Sequence, residues 1–161
     1  MKKIPLTQGR FAIVDDDIFE GLSACKWHVK RGPNTFYAGC IMNRRPDGAT
    51  TLMHRLIMNA QKGQQVDHID GNGLNNIKSN LRFCTSTQNK QNGRSYKNST
   101  SKYKGVSWHR SGQKWQARIR LNGKQVYIGV FNDEAEAARA YDCKAEKLFG
   151  EFARLNFKKG E

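Results

Sequence analysis

Residues 66–92 read VDHIDGNGLNNIKSNLRFCTSTQNKQN, and this stretch decides the fold of the N-terminal half. Asp67 and His68 are adjacent. A loop of Gly, Asn and Asp follows, then Asn80-Leu81-Arg82, then a polar segment carrying Gln88, Asn89 and Asn92. An imidazole takes a proton from water near neutral pH, because its ordinary pKa lies close to the working pH. A carboxylate and a side-chain amide oxygen are hard ligands suited to Mg²⁺, which keeps several waters and prefers substrate phosphate to an all-protein cage. A base beside a half-built oxygen site is what phosphodiester hydrolysis requires. The bland alternative is a structural histidine in an Asx-rich turn, since Asp, Asn and Gly favour turns for local reasons.

Asp-His, an Asn twelve positions after the His and another twenty-one positions after it resemble the H-N-H endonucleases. The resemblance is closest to the phage and intron-encoded homing type, in which the last His of the name is replaced by Asn. It implies an α+β fold with a ββα-metal (His-Me finger) nuclease module, its core at about residues 52–92. In that finger the Asp-His pair ends the first strand, a loop and second strand follow, and a short helix carries the last ligand. Carried onto this chain, His68 is the general base, and Asp67 and Asn89 hold one divalent ion, Mg²⁺ or Mn²⁺. Asn80 joins His68 in the catalytic set by bracing the loop and orienting the imidazole. Asn92 is a neighbour without an assigned role. So is His54, in LMHRLIM, which matches a position common in this subgroup.

Charge points to the partner. The net charge is +14, and its distribution says more than its total. No acid lies between Asp70 and Asp133, while twelve Lys and Arg do, from Lys78 to Lys124. Such a run repels itself unless a polyanion lies beside it. With Tyr103, Trp108, Trp115 and Tyr127 interleaved, nucleic acid is the expected partner, bound more weakly as salt rises. A length of 161 residues at 37% hydrophobic content suits one domain or two small ones with modest cores. Cys25, Cys40, Cys84 and Cys143 are far apart, so no CxxC signature, structural zinc or disulfide framework is expected, and buried free thiols are the default. The N-terminus is too polar for a signal peptide, and no apolar run is long enough for a membrane span. A cytoplasmic protein of a bacterial host or phage-infected cell is the expectation, with no small-molecule cofactor.

Taken in order, residues 4–14 predict a strand pair around Gln8-Gly9, with Phe11, Ile13 and Val14 feeding the core. DDDIFEGLSACKW predicts a short helix capped by one of Asp15 to Asp17, burying Ile18, Phe19, Leu22 and Cys25. The acid cluster serves the helix dipole better than a metal. TFYAGCIMN and ATTLMHRLIM read as strands flanking a turn at Arg45-Pro46-Asp47-Gly48. The nuclease module thus spans 1–92, and a polar, basic linker occupies 93–102.

From Tyr103 the texture changes. Alternation broken at Ser111-Gly112 and at Asn122-Gly123 predicts three antiparallel strands, at about 105–109, 114–121 and 125–130. On the middle strand Trp115, Ala117 and Ile119 face one way, and Gln116, Arg118 and Arg120 the other. NDEAEAARAYDCKAEKLFG predicts a helix, with Asp133 and Glu136 as a capping box and Gly150 at its end. Ala138, Tyr141, Ala145 and Leu148 mark its packed side.

YKGVSWH, KWQARIR, YIGVF, EAARAYD and FGEFARLNF match, in order, the landmarks of the plant ethylene-response-factor (Apetala-type) DNA-binding domain, over residues 103–157. The resemblance implies a three-stranded antiparallel sheet, packed on one helix, that enters the major groove of double-stranded DNA. The matching reader positions are Ser107, His109, Ser111, Arg118, Arg120, Gln125 and Tyr127, with Arg110 and Lys124 completing the DNA-binding set. Only Arg120 keeps the residue of the plant GCC-box binders. Ser107, His109 and Gln125 stand for arginine, Ser111 and Tyr127 for tryptophan, and Arg118 for an acid, so a different target sequence follows. Arg118 and Arg120 either read guanine, each worth about 1–3 kcal/mol of discrimination, or grip phosphate only.

Together these readings predict a metal-dependent DNA endonuclease of homing type, nicking or cleaving duplex DNA and placed by its C-terminal domain. A non-enzymatic DNA-binding regulator is the first rival, and an RNA-binding protein the second. The intact Asp67, His68, Asn80 and Asn89 set weighs against the first. Arginines on one face of a regular sheet weigh against the second.

Overall fold

Gln8 and Gly9 take positive φ, 59° and 65°, and reverse the chain between antiparallel strands β1 (Lys2–Pro5) and β2 (Phe11–Val14). The structure is a computed structural model and describes residues 1–41, 49–93 and 99–157. The expected turn at Arg45–Gly48 lies outside those residues. The chain folds as two compact units, Met1–Asn89 and Lys90–Glu161.

In the first unit Ile4, Ala12 and Val14 enter the core, whereas Phe11 is 50% exposed. Strand alternation explains the departure from expectation: with Ala12 and Val14 inside, Phe11 and Ile13 must point away. A 3-10 turn over Asp16–Ile18 leads into α1 (Phe19–Ser23), which buries Leu22. The acids do not cap it. Asp15 Oδ2 accepts the Lys78 N–H at 2.7 Å, and Asp17 pairs with Lys78 Nζ at 2.8 Å, so the cluster ties down a distant loop.

Strands β3 (His28–Arg31), β4 (Phe36–Ile41) and β5 (Thr50–Leu52) form an antiparallel sheet in that order. The MHRLI segment, expected to continue the last strand, is instead helix α2 (Met53–Ile57). Met53 is wholly buried, and Ile57, one turn on, packs against the same core. That i, i+4 spacing is helical, and the apolar strand before it masks the change of period.

Next come β6 (Gln65–His68) and β7 (Leu81–Cys84), paired antiparallel with Asp67 opposite Arg82 and His68 opposite Leu81. Helix α3 (Ser86–Asn92) follows directly. Thr85 and Gln88 cap it reciprocally: Thr85 N–H donates to Gln88 Oε1 at 2.8 Å, and Gln88 N–H donates to Thr85 Oγ1 at 3.2 Å. The core beneath contains Ile4, Leu6, Val14, Leu22, Trp27, Cys40 and Met53.

In the second unit β8 (Val106–His109), β9 (Lys114–Leu121) and β10 (Lys124–Phe131) make the antiparallel sheet, with β9 central. Asn122 and Gly123 both take positive φ, 48° and 81°, as a type I′ hairpin turn demands. Helix α4 (Glu134–Phe149) starts where Asp133 Oδ1 accepts the Glu136 N–H at 2.9 Å and stops at Gly150. Ala137, Ala138 and Ala145 are completely buried, and the absence of bulk there brings the helix backbone close to the sheet. Ser101, within the expected linker, is also buried and donates to Glu134 Oε1 at 2.7 Å. Ser99 to Lys102 therefore fold with this unit.

All four cysteines are free, and Cys143 is exposed rather than buried. No helix among the described residues is long and apolar enough to cross a membrane.

The chain end is clasped by Asp142, whose carboxylate accepts from the Asn156 N–H and amide and from the Phe157 N–H, at 2.9–3.0 Å. Asp142→Ala strands these donors. Urea unfolding should therefore show the second unit destabilised by roughly 2–3 kcal/mol.

Candidate functional site: a buried histidine between a finger loop and a cross-strand ion pair

Alternation along β6 turns Asp67 and His68 to opposite sides, and both are buried, at 7% and 5% exposure. His68 lies in an aromatic cluster. The His54 ring meets it edge-on at 4.8 Å between centroids, and Tyr37 from β4 lies 5.5 Å from His54 and 5.9 Å from His68. Burial pulls the His68 pKa below its ordinary value, outweighing the opposing pull of the Asn76 hydrogen bond and of Asp70 and Asp67. The ring is therefore neutral at pH 7, the state a base needs. Burial, and then the Asp67 carboxylate, push the Tyr37 phenol up.

His54 is held further from charging. Burial, then His68 and Arg55, lower its pKa to about 3 from 6.5. Between those values the unfolded chain binds a proton that the folded chain refuses. Stability is therefore whole above pH 6.5 and falls as pH drops towards 3, at about 1.4 kcal/mol per pH unit from this group. His54→Phe removes the site, so the stability difference between variant and wild type should drift by that slope across the window. Urea titrations at several pH values measure it.

The loop from Ile69 to Asn80 is built from side-chain amides. Asn80 Oδ1 accepts the Asp70 N–H at 3.0 Å. Asn80 Nδ2 donates to Asp70 Oδ1 at 3.0 Å and to the Asn75 carbonyl at 2.8 Å. Burial raises the Asp70 pKa, but bonds from the Asn72 N–H and from the Asn75 and Asn80 amides outweigh it and hold the carboxyl low. Gly73 lies where a Cβ would meet the Phe36 carbonyl at 2.5 Å and the Tyr37 ring at 2.6 Å, so only glycine lets the loop lie against β4. The hydrogen bond to the imidazole comes from Asn76, whose Oδ1 stands 3.2 Å from His68 Nε2.

On the other side of the hairpin Asp67 Oδ2 accepts from Arg82 Nη2 at 2.9 Å and Nε at 3.2 Å. Both side chains are about nine-tenths buried. Asn89, exposed on α3, donates through Nδ2 to Gln65 Oε1 at 3.3 Å, which makes Oδ1 the acceptor end of its amide. Gln65 and Asp67 share a face of β6, so α3 lies along the face that carries the carboxylate. Asp67 and Asn89 thus contribute a carboxylate and an amide oxygen. Among the described residues no three His, Cys, Asp or Glu side chains group as a metal site. Two protein oxygens, completed by water and phosphate, fit Mg²⁺ or Mn²⁺.

The second unit presents its other sheet face. Ser107, Arg118, Arg120, Gln125 and Tyr127 are exposed there, with Arg118 opposite Tyr127 and Arg120 opposite Gln125. Arg118 Nη1 donates to Gln125 Oε1 at 3.2 Å, linking the two strands diagonally. His109 is drawn into its own turn: Nδ1 accepts the Gly112 N–H at 3.2 Å, and Nε2 lies 3.3 Å from Ser111 Oγ. Arg110 is exposed at that turn and Lys124 at the start of β10.

Three residues around His68 and Asp67 were not singled out from sequence: Tyr37, Asn76 and Arg82. The opposition of Arg82 to Asp67 follows from the register of the β6–β7 hairpin. Tyr37 sits in a distant strand, and Asn76 is one of several similar loop asparagines, so neither carried a local signal.

Comparison with known proteins finds two families along the chain. The HNH endonuclease family model matches residues 51–91, and the AP2 domain model matches residues 101–151. An uncharacterized HNH endonuclease of Acanthamoeba polyphaga mimivirus is 35% identical over 153 residues, 92% of this chain and 76% of the relative. Protein 3.8 of Escherichia phage T7 is 37% identical over 94 residues, 58% of this chain and 77% of the relative. An AP2-like ethylene-responsive transcription factor of Arabidopsis thaliana is 32% identical over 121 residues, 74% of this chain and 25% of the relative.

Proposed function

Because the chain belongs to the HNH endonuclease family and carries an AP2 domain, we propose that it is a metal-dependent endonuclease of double-stranded DNA, placed on its target by the C-terminal sheet. The observation that carries the reading is a buried His68, its pKa held below the ordinary value, next to Asp67 in the chain, with Asn89 held along the Asp67 face of β6.

In the proposed reaction His68 takes a proton from a water. The water oxygen attacks the phosphorus in line, the P–O3′ bond breaks, and the 3′ oxygen leaves with a proton from solvent, giving 5′-phosphate and 3′-hydroxyl ends. Asp67 and Asn89 would hold the divalent ion, which supplies electrostatic stabilisation for charge developing on the phosphate and the departing oxygen. Asn80 keeps the loop closed through its bonds to Asp70 and Asn75. Arg118, Arg120, Gln125 and Tyr127 lie in the groove, with Arg110 and Lys124 at its phosphates. One active site per chain gives a nick, and the enzyme is read as a mobile element's homing enzyme acting in the cytoplasm of an infected or bacterial cell, with relatives in a phage and a giant virus.

Supercoiled plasmid carrying DNA of the source genome should convert to open circles with Mg²⁺ or Mn²⁺ and remain supercoiled with EDTA. A shifted DNA mobility without cleavage under both metals would leave a DNA-binding regulator in its place.

A further inference from the structure

We propose that Asn76 is the residue that positions the base, fixing which nitrogen of His68 carries the proton. The proposal rests on the reading of His68 as general base. Asn76 is completely buried, and its Oδ1 lies 3.2 Å from His68 Nε2. With the amide oxygen turned to the ring, an acceptor only, the partner nitrogen in this proposal is Nε2–H, and the lone pair of the neutral ring falls on Nδ1. A ring free to exchange tautomers would spend part of its time with the wrong nitrogen protonated.

The backbone holds Asn76 against β2. The Ile13 N–H donates to the Leu74 carbonyl and the Asn76 N–H donates to the Ile13 carbonyl, both at 2.8 Å, in a parallel bridge. Ile13 thus spends both its backbone groups on this loop. Lys78, two residues on, is fastened to Asp15 and Asp17. Residues 2–17 fall outside the stretch matched by the nuclease family model, yet they fix the loop that carries Asn76.

The amide has a second peculiarity. Asn76 Nδ2 is buried without a hydrogen-bond partner, as is His54 Nδ1 on the ring that meets His68 edge-on. An unpaired buried donor is costly, and a leucine of similar size would avoid it. What the leucine lacks is the oxygen on His68. The imidazole orientation is therefore the function that keeps an amide at this position.

The test uses the full chain with ¹⁵N-labelled histidine, the His68 resonances being assigned by their loss in His68→Gln. In wild type the neutral His68 ring should show a protonated Nε2 whose hydrogen exchanges slowly. Asn76→Leu should lose that protected hydrogen and cleave plasmid with a kcat ten- to a hundred-fold lower, at unchanged KM for DNA and an unchanged circular dichroism spectrum. Asn76→Asp keeps an acceptor oxygen and should recover both the Nε2–H signal and most of the rate, which a merely structural role would not restore. A neutral wild-type ring protonated on Nδ1, or an Asn76→Leu protein that cleaves at the wild-type kcat, overturns the proposal. Wild-type protein that shows the Nε2–H signal yet cuts no DNA with Mg²⁺ or Mn²⁺ overturns the nuclease reading first, and the catalytic meaning of the tautomer with it.

Discussion

His68→Ala should reduce metal-dependent plasmid nicking by roughly 10²–10⁴-fold, the usual contribution of a positioned general base. The ring is buried and its pKa is held low, so wild type carries the base in its neutral form at pH 7 without a proton to shed first. Alanine also leaves a hole beside His54 and Tyr37, which by itself loosens the packing of the finger. His68→Gln separates the two effects: its amide fills much of the space and can donate to Asn76 Oδ1, but it accepts no proton near neutral pH. Both variants should still retard DNA in a mobility gel, because the arginine face of the second unit is untouched. Equal loss of nicking in both, with binding kept, assigns the defect to proton transfer. Glutamine cleaving at the wild-type rate would remove His68 from the chemistry and leave it a packing residue.

The parts of this molecule that could be read in the sequence are those whose signal is local. Asn122-Gly123 specifies its hairpin through backbone preference alone, and Asp133 and Glu136 mark a helix start three residues apart. The spacing of Asp67, His68, Asn80 and Asn89 fits a strand, a loop, a strand and a helix, and those elements are present as β6, β7 and α3. Misreadings arose where partners are distant. The carboxylates of Asp15 and Asp17 looked like caps for the helix beside them, but they hold Lys78, more than sixty residues away. Asn72, Asn75, Asn76 and Asn80 share one loop and one chemistry. Only the packing of β2 against residues 74–76 gives Asn76 the imidazole and leaves Asn80 to brace Asp70. Composition distinguishes none of the four.

Arg82→Met should lower the unfolding free energy of the first unit by about 3–5 kcal/mol, the scale for breaking a buried ion pair by removing one member. Asp67 and Arg82 are both about nine-tenths buried, and the guanidinium reaches the carboxylate through two nitrogens. Methionine preserves the apolar stem and removes the charge, so the loss is that of the ion pair and its two hydrogen bonds at a buried carboxylate. Two companion measurements follow. Asp67→Asn in the same background neutralises the buried carboxylate, and the double variant should be more stable than Arg82→Met alone, a coupling that a double-mutant cycle isolates. Mg²⁺ should also raise the urea midpoint of Arg82→Met more than that of wild type, because a cation that binds only the folded state stabilises it by mass action and the carboxylate no longer has its arginine. A Mg²⁺ response that survives Asp67→Asn would place the ion elsewhere. With the ion on Asp67 as proposed, Arg82 in wild type should have two consequences at once: it makes the buried carboxylate tolerable before an ion arrives, and it weakens the hold on that ion.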